Sequence, residues 1–190
     1  MAENNIEIEI KLPLPDEAIA GLREKLDRQA VLVKTSRQVD EYYNLSHRDF
    51  MAPQYPVEWL SIRQRGDKTI LNYKHWYPEN TEVVTYCHEY ETAVHDAASI
   101  KLIFAALDIR PLVIVDKQRT IYNLNDEYEI VIDDVKDLGY FMEIEALKNS
   151  ADPNITRAKL LALAESLGCD PTKLDLRGYP YLLLVKAGKR

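Results

Sequence analysis

Cysteine is scarce in this chain of 190 residues, which contains only Cys87 and Cys169. The two lie far apart and lack the spacing of a metal site, so the sequence predicts neither a disulfide framework nor a zinc motif. Disulfide-rich scaffolds belong to oxidising compartments, so a small secreted scaffold is excluded and we expect a cytoplasmic protein.

Long apolar runs and an excess of basic residues are also missing. The first ten residues have neither the basic start nor the apolar stretch of a secretory signal. No run approaches the roughly 18 apolar residues that a membrane-spanning helix requires. With 24 Lys and Arg residues against 31 Asp and Glu residues, the net charge of −7 argues against a general partner for nucleic acid or for an anionic membrane.

The composition, 46% hydrophobic and 29% charged residues, is typical of a soluble globular protein, and we expect a single domain over residues 1–190. Apolar periodicity predicts helices over 16–29, 96–108 and 154–167, with Asp96 as an N-cap and Gly168 as a C-terminal stop. Strands are predicted over 6–12, 31–45, 58–65, 69–76, 82–92, 112–124, 127–135 and 140–148. This order favours an antiparallel sheet of about eight strands.

The charges on these strands follow a period of two residues. In Glu7-Ile8-Glu9-Ile10-Lys11, the two glutamates and the lysine share one face, and the isoleucines share the other. Carboxylates two residues apart suit a hard divalent cation, and a neighbouring lysine suits a phosphate. The same spacing recurs at Arg63 and Arg65, Glu89 and Glu91, Lys117 and Arg119, and Glu143 and Glu145.

These charged faces have two interpretations, which the composition alone leaves open. In the first, they form the solvent side of a sheet and carry cross-strand ion pairs. In the second, the sheet closes into a barrel, with the charged faces inside and helices covering the apolar outside. Burying so many charges is costly, so water, a metal and a polyanion would be needed to satisfy such an interior.

The pattern resembles the CYTH, or triphosphate tunnel metalloenzyme, family over nearly the whole chain, from about residue 6 to 186. The matching elements follow the predicted strands in order: Glu7-x-Glu9-x-Lys11, Asp40 with Tyr42 and Tyr43, Arg63-x-Arg65, Lys74, Glu89-x-Glu91, Lys117-x-Arg119, Asp133 and Glu143-x-Glu145. Residues 42–50 and 174–184 are similar to the class IV adenylyl cyclase branch of this family.

The resemblance implies an α+β fold, an antiparallel, closed or nearly closed β-barrel of eight strands with helices packed on the outside. It implies a small-molecule triphosphate as substrate and Mg²⁺ or Mn²⁺ as cofactor. The implied metal ligands are Glu7, Glu9, Asp133, Glu143 and Glu145. The implied substrate-binding residues are Lys11, Arg63, Arg65, Lys74, Lys117 and Arg119. The implied catalytic residues are Lys11, Glu89 and Glu91. Asp40 has two interpretations, a functional residue of the site or only a support for a basic residue such as Arg37.

The resemblance favours an enzyme that converts ATP to cyclic AMP and pyrophosphate. Hydrolysis of inorganic tripolyphosphate, thiamine triphosphate or nucleoside triphosphates is the close alternative. A non-catalytic module that binds polyphosphate or nucleotides, and a structural barrel with a salt-bridged face, are further hypotheses. The chain departs from the family at residues 73–76, where a Lys-Gly turn is commoner, and at 51–56, so substrate choice stays open. A homodimer is a common arrangement in proteins of this kind, but the sequence leaves the oligomeric state open.

Overall fold

The computed structural model describes residues 6–148 and 152–190, among which it has nine strands and four α-helices. The strands are β1 Ile6–Glu7, β2 Glu9–Leu14, β3 Val31–Leu45, β4 Glu58–Arg65, β5 Lys68–Tyr77, β6 Tyr86–Val94, β7 Ile109–Leu124, β8 Tyr128–Val135 and β9 Gly139–Ala146. The helices are α1 Ile19–Gln29, α2 Ala97–Ala106, α3 Pro153–Ser166 and α4 Tyr179–Lys186. Residues 1–5, which entered the prediction that no secretory signal is present, lie outside the described residues.

The predicted antiparallel α+β class is confirmed, with nine strands in place of eight. The extra strand arises at Ile8, where the predicted first strand divides into β1 and β2. Antiparallel pairs are formed by β2–β9, β3–β4, β4–β5, β5–β6, β7–β8 and β8–β9. Helix α4 lies on a C-terminal apolar run, beyond the helices and strands that were predicted from the sequence.

The described residues divide into two compact units. The first unit comprises Ile6, residues 37–116 and residues 177–190, and its strands are hydrogen-bonded in the order β1-β6-β5-β4-β3. The second comprises residues 7–36 and the described part of 117–176, and its order is β7-β8-β9-β2. Strands β1, β3 and β7 have residues in both units. A single domain over residues 1–190 stays a prediction.

In the second unit, alternate residues of β2, β8 and β9 form a core. Ile144 on β9 lies opposite Ile10 on β2 and opposite Ile130 on β8, and all three side chains are buried. Helix α3 packs against β2 and β9 and buries Leu160. Because successive side chains alternate between faces, Lys11 projects from the face opposite to this core.

In the first unit, two apolar clusters support the strands. Phe50, Met51 and Trp59 pack with Leu184 of α4. Phe104 of α2 packs with Tyr43 of β3 and Ile62 of β4, and the rings of Phe104 and Tyr43 are T-shaped with centroids 4.9 Å apart. None of the helices in the described part of the chain has the length and apolar character needed to cross a membrane.

Two helix boundaries follow directly from local chemistry. The Asp96 carboxylate accepts a hydrogen bond from the Ser99 amide at 3.0 Å and caps α2. Gly168, with a φ of +89°, adopts the left-handed conformation just after α3 and donates its amide to the Glu165 carbonyl. An aspartate offers the acceptor that a helix start lacks, and glycine adopts a positive φ without a Cβ clash, so both predicted boundaries are confirmed.

Candidate active-site residues

Three glutamates of the second unit form a group of the kind that binds a metal ion. Glu7, Glu9 and Glu145 are partly buried and can each bring one carboxylate oxygen within 4.8 Å of the other two. The β2–β9 ladder sets this proximity, because Glu9 and Glu145 are directly opposite residues. An all-carboxylate set suits the hard cations Mg²⁺ and Mn²⁺ better than soft metals, so these residues fit the implied cofactor.

Lys11 lies beside this group on the same face of β2, and it is largely buried. Its direct neighbour across the β2–β9 ladder is Glu143. Burial lowers the pKa of the Lys11 ammonium, while the negative charges of Glu143 and Asp175 oppose that shift. The ring centroid of Phe141 lies 6.0 Å from Lys11 Nζ. The ammonium is therefore held in a nearly dry setting, where its charge interacts strongly with any phosphate.

Asp133 and Glu143, the other two implied metal ligands, contact basic side chains. Asp133 is fully buried and accepts hydrogen bonds from Arg119, with a distance of 2.8 Å between Nε and Oδ1. Lys117 Nζ lies 3.4 Å from Asp133 Oδ2, and Arg119 also donates to Glu143. The structure thus brings together Glu7, Glu9 and Glu145 as one group, and Asp133 and Glu143 with basic residues as another.

Glu129, which the predicted site omits, lies on the same face of the strands as Glu9 and Glu145. It lies opposite Glu145 in the β8–β9 ladder, so Glu9, Glu145 and Glu129 form a row across three strands. Burial raises the pKa of Glu129, and Arg119 partly offsets that effect. The alternation of residues 127–133 contained the signal, because Glu129 shares its strand face with Asp133.

In the first unit, Arg63 is the centre of a second charged cluster. Its Nη1 lies 3.0 Å from Glu89 Oε1 and 2.8 Å from Glu91 Oε1. Lys74 Nζ lies 3.6 Å from the same Glu89 oxygen. Asn72 also donates to both carboxylates, at 2.6 Å and 3.1 Å. The two implied catalytic glutamates therefore contact two of the six implied phosphate-binding cations, and these contacts fix the orientation of Arg63.

Asp40 and Arg65 form a further ion pair in the first unit. Asp40 is buried and accepts a hydrogen bond from Arg65 Nη1 at 2.5 Å. Arg37, the residue that Asp40 was predicted to support, forms a two-bond pair with Asp116 at 2.9 Å and 2.7 Å. Asp40 therefore supports a basic residue, and the structure identifies that residue as Arg65, whereas Arg37, the example given, pairs with Asp116. Residues 37 and 40 project to opposite faces of β3, so Arg37 contacts Asp116 on one face and Asp40 contacts Arg65 on the other.

The chain is similar to known proteins, and these similarities agree with the geometry of the charged residues. The CYTH domain family matches residues 5–179. A Methanocaldococcus jannaschii protein named as a candidate adenylate cyclase is 31% identical over 150 residues, which are 78% of this chain and 80% of that protein.

Solved structures of the same fold cover nearly the whole chain. The PH1819 protein of Pyrococcus horikoshii matches with a TM-score of 0.79 and 28% identity over 95% of this chain and 99% of that chain. A Hippeastrum protein described as adenylyl cyclase-like with a dominant triphosphatase activity matches with a TM-score of 0.63 over 97% of this chain and 96% of that chain. Its identity is 17%, so this likeness concerns the fold alone.

These matches confirm the predicted fold class, an antiparallel β-barrel with helices on the outside. They also confirm the resemblance that the strand motifs implied. The family is one of metal-dependent enzymes that bind triphosphates. The chain belongs to the CYTH domain family.

Proposed function

We propose that the protein is an adenylyl cyclase that converts ATP to cyclic AMP and pyrophosphate. The observation that carries this proposal is the group Glu7, Glu9 and Glu145 beside the buried ammonium of Lys11. The 31% identity to the Methanocaldococcus jannaschii protein also supports this proposal. ATP as the substrate, and cyclisation as the reaction, are proposals.

Three carboxylates of the second unit would hold a divalent cation, Mg²⁺ or Mn²⁺. When bound, such a cation neutralises phosphate charge and acidifies an attacking hydroxyl. The other two acidic residues implied as ligands, Asp133 and Glu143, orient Lys117 and Arg119 through the contacts described above. We propose that Lys11 binds the phosphate that reacts, where its positive charge stabilises the charge that develops.

The remaining cations would bind the rest of the triphosphate. A triphosphate carries about four negative charges, so several cations must grip it. Arginine offers a planar fork for phosphate oxygens, whereas lysine offers a point charge. Our proposed phosphate ligands are Arg63, Arg65, Lys74, Lys117 and Arg119. Glu89 and Glu91 would then act by orienting Arg63 and Lys74.

In the proposed cyclisation, the ribose 3′-oxygen attacks the α-phosphorus of ATP. A bond forms between those two atoms, the bond from the α-phosphorus to the bridging oxygen breaks, and pyrophosphate leaves. The 3′-hydroxyl proton is released as the bond forms. Such a reaction depends on positioning and charge stabilisation rather than on a covalent enzyme intermediate.

Triphosphate hydrolysis is the second candidate, because the same charged residues serve it. Water then replaces the ribose hydroxyl, and its oxygen attacks the terminal phosphorus. The bond from that phosphorus to the bridging oxygen breaks, and orthophosphate and the diphosphate are released. The Hippeastrum protein of the same fold supports this alternative, since a dominant triphosphatase activity is described for it. Tripolyphosphate, thiamine triphosphate and nucleoside triphosphates are the substrates to compare. A binding module without turnover is the remaining alternative.

Product analysis separates these functions. Purified protein would be incubated with ATP and, separately, with tripolyphosphate, each with Mg²⁺ or Mn²⁺, and all products separated by chromatography. Cyclic AMP with an equal amount of pyrophosphate supports the cyclase. Orthophosphate without cyclic AMP contradicts it and supports hydrolysis, and binding without any product supports the module. Lys11→Ala should abolish turnover in either enzyme, and Lys159→Ala is a control on an exposed lysine of α3.

The cytoplasmic location and the homodimer stay predictions. The first rests on the low cysteine content, and the second on the resemblance alone. Size-exclusion chromatography with light scattering tests the second directly.

A further inference from the structure

The first unit contains a set of buried polar atoms without hydrogen-bond partners. One of them, His75 Nε2, lies on the opposite face of β5, 2.8 Å from Glu79 Oε1, and the other four are Gln38 Oε1, Ser61 Oγ, Arg63 Nε and Asn72 Oδ1. All four side chains lie on the face of β3, β4 and β5 that also carries Asp40 and Lys74. Buried polar groups are nearly always paired in folded proteins, so such a concentration on one face calls for hydrogen-bond partners there, either water or a polar group of a ligand.

Ser61 and Asn72 are the centre of this set. They are directly opposite residues in the β4–β5 ladder, and their residue exposures are 0% and 1%. Tyr42 lies opposite Ser61 on β3, and Glu91 lies opposite Asn72 on β6. The row thus crosses four strands and reaches solvent at Glu91, whose side chain is 43% exposed.

The orientation of the Asn72 amide follows from its neighbours. Its Nδ2 donates to Glu89 and to Glu91, at 2.6 Å and 3.1 Å. An ionised carboxylate only accepts hydrogen bonds, so the nitrogen must face the glutamates and the carbonyl oxygen must point away from them. Asn72 Oδ1 is therefore an acceptor that needs a donor.

We infer that Ser61 and Asn72 form a recognition subsite for a neutral hydrogen-bond donor, a hydroxyl or an amino group, of an organic triphosphate. A fully ionised inorganic triphosphate offers acceptors alone and leaves Asn72 Oδ1 unsatisfied. Arg63, two residues along the same face of β4, supplies the cation for the attached phosphates. This inference rests on the proposed function and deepens it, because it predicts a preference for nucleotides over tripolyphosphate.

A site built to pair with a donor discriminates strongly against ligands that lack it, because its buried acceptor is then unpaired. Dissociation constants would be measured by calorimetry with Mg²⁺ at low temperature for ATP, 2′-deoxy-ATP, 3′-deoxy-ATP, inosine triphosphate and tripolyphosphate. At least one analogue that lacks a hydroxyl or the amino group should bind about five- to tenfold more weakly than ATP, as the loss of one neutral hydrogen bond requires. The analogue that does so identifies the donor.

The variant Ser61→Ala removes one hydroxyl and keeps the small side chain. It should weaken ATP binding about five- to tenfold and leave tripolyphosphate binding within about twofold. Thr120→Ala is the matched control, since Thr120 is also buried but its hydroxyl already has a partner, Thr35 Oγ1 at 3.2 Å. The control should leave both affinities unchanged.

Three outcomes overturn the subsite, and they separate it from the proposed function. Equal affinity for ATP and every analogue, which needs no variant, overturns the subsite alone. Equal weakening of ATP and tripolyphosphate by Ser61→Ala also overturns the subsite alone, and it assigns the unpaired atoms to water. Absence of binding for all five ligands overturns the proposed function together with the subsite.

Discussion

Asp133 binds the Arg119 guanidinium through both of its carboxylate oxygens: Nε donates to Oδ1 over 2.8 Å, and Nη2 donates to Oδ2. The carboxylate is fully buried, and Lys117 Nζ lies 3.4 Å from the second oxygen. Two cations on one face of β7 therefore depend on one anion of β8. Asp133 acts as their shared partner, and this contact determines which way Arg119 points.

Removing that anion should destabilise the fold. Asp133→Ala leaves two largely buried cations without their shared partner, and breaking a buried ion pair costs about 3–5 kcal/mol. We expect the free energy of unfolding in urea to fall by about 3 kcal/mol. Asp134→Ala, at the exposed neighbouring position, is the control and should change it by less than about 0.5 kcal/mol. Equal effects of the two substitutions would contradict a structural role for this pair.

The faces of the strands could be predicted from the sequence because the side-chain period of a strand is independent of its partners. Lys11, Glu143 and Glu145 lie on the face that alternation assigned to them, and Ile10 and Ile144 lie on the other. The caps at Asp96 and Gly168 were equally accessible, since each depends on the chemistry of a few adjacent residues. Local rules thus identified which side chains share a surface.

The contacts within that surface could not be predicted, because they depend on strand register and on side-chain reach. Alternation puts Asp133, Glu143 and Glu145 on one face, but only the β8–β9 and β7–β8 registers bring the first two to Arg119. Asp40 likewise pairs with Arg65 through the β3–β4 register. Helix α4 was not predicted from the sequence, because an apolar run without polar breaks has no periodicity that would indicate a helix.

Tyr42 predicts a specific loss of stability in alkaline solution. Burial, followed by the negative charge of Asp40, raises the pKa of Tyr42 to about 12, against about 10 in an unfolded chain. The fold therefore favours the neutral phenol. That contribution is complete below pH about 10 and declines as the pH rises towards 12, by up to about 1.4 kcal/mol per pH unit.

Tyr42→Phe removes the titrating hydroxyl, so the variant should lose less stability than the unsubstituted protein between pH about 9 and 11.5. Urea unfolding of both proteins at several pH values measures the difference. The stability of the variant relative to the unsubstituted protein should therefore increase as the pH rises. Parallel curves would rule out a raised pKa for this phenol.

Leu184 predicts how the C-terminal helix contributes to stability. Its side chain, 4% exposed, packs with Phe50 and Trp59, whereas the next residue, Val185, is 40% exposed. Leu184→Ala creates a cavity in that cluster and should lower the free energy of unfolding by about 2–5 kcal/mol. Val185→Ala, the control, should lower it by less than about 1 kcal/mol. Similar losses in thermal or urea unfolding would show that α4 does not bury its leucine in this cluster.

We expect the metal affinity of the second unit to depend on Glu145. On β9 it lies between Glu9 of β2 and Glu129 of β8, directly opposite each of them, so it is the central carboxylate of the row of three. Glu145→Gln keeps the shape of the side chain but replaces a charged ligand oxygen by an amide. Since Mg²⁺ and Mn²⁺ prefer charged oxygen ligands, we expect Mn²⁺ affinity, measured by electron paramagnetic resonance without nucleotide, to fall at least about tenfold.

Glu127→Gln is the control for this experiment, because Glu127 lies two residues before Glu129 in the same chain segment and is exposed. Its loss of charge lowers the general attraction for cations by the same amount and leaves the group of Glu7, Glu9 and Glu145 intact. If both variants weakened Mn²⁺ binding equally, the affinity would reflect the net negative charge of the protein rather than a site. A loss confined to Glu145→Gln ties the cation to these three carboxylates, because only they can each bring an oxygen within 4.8 Å of the other two among the described residues.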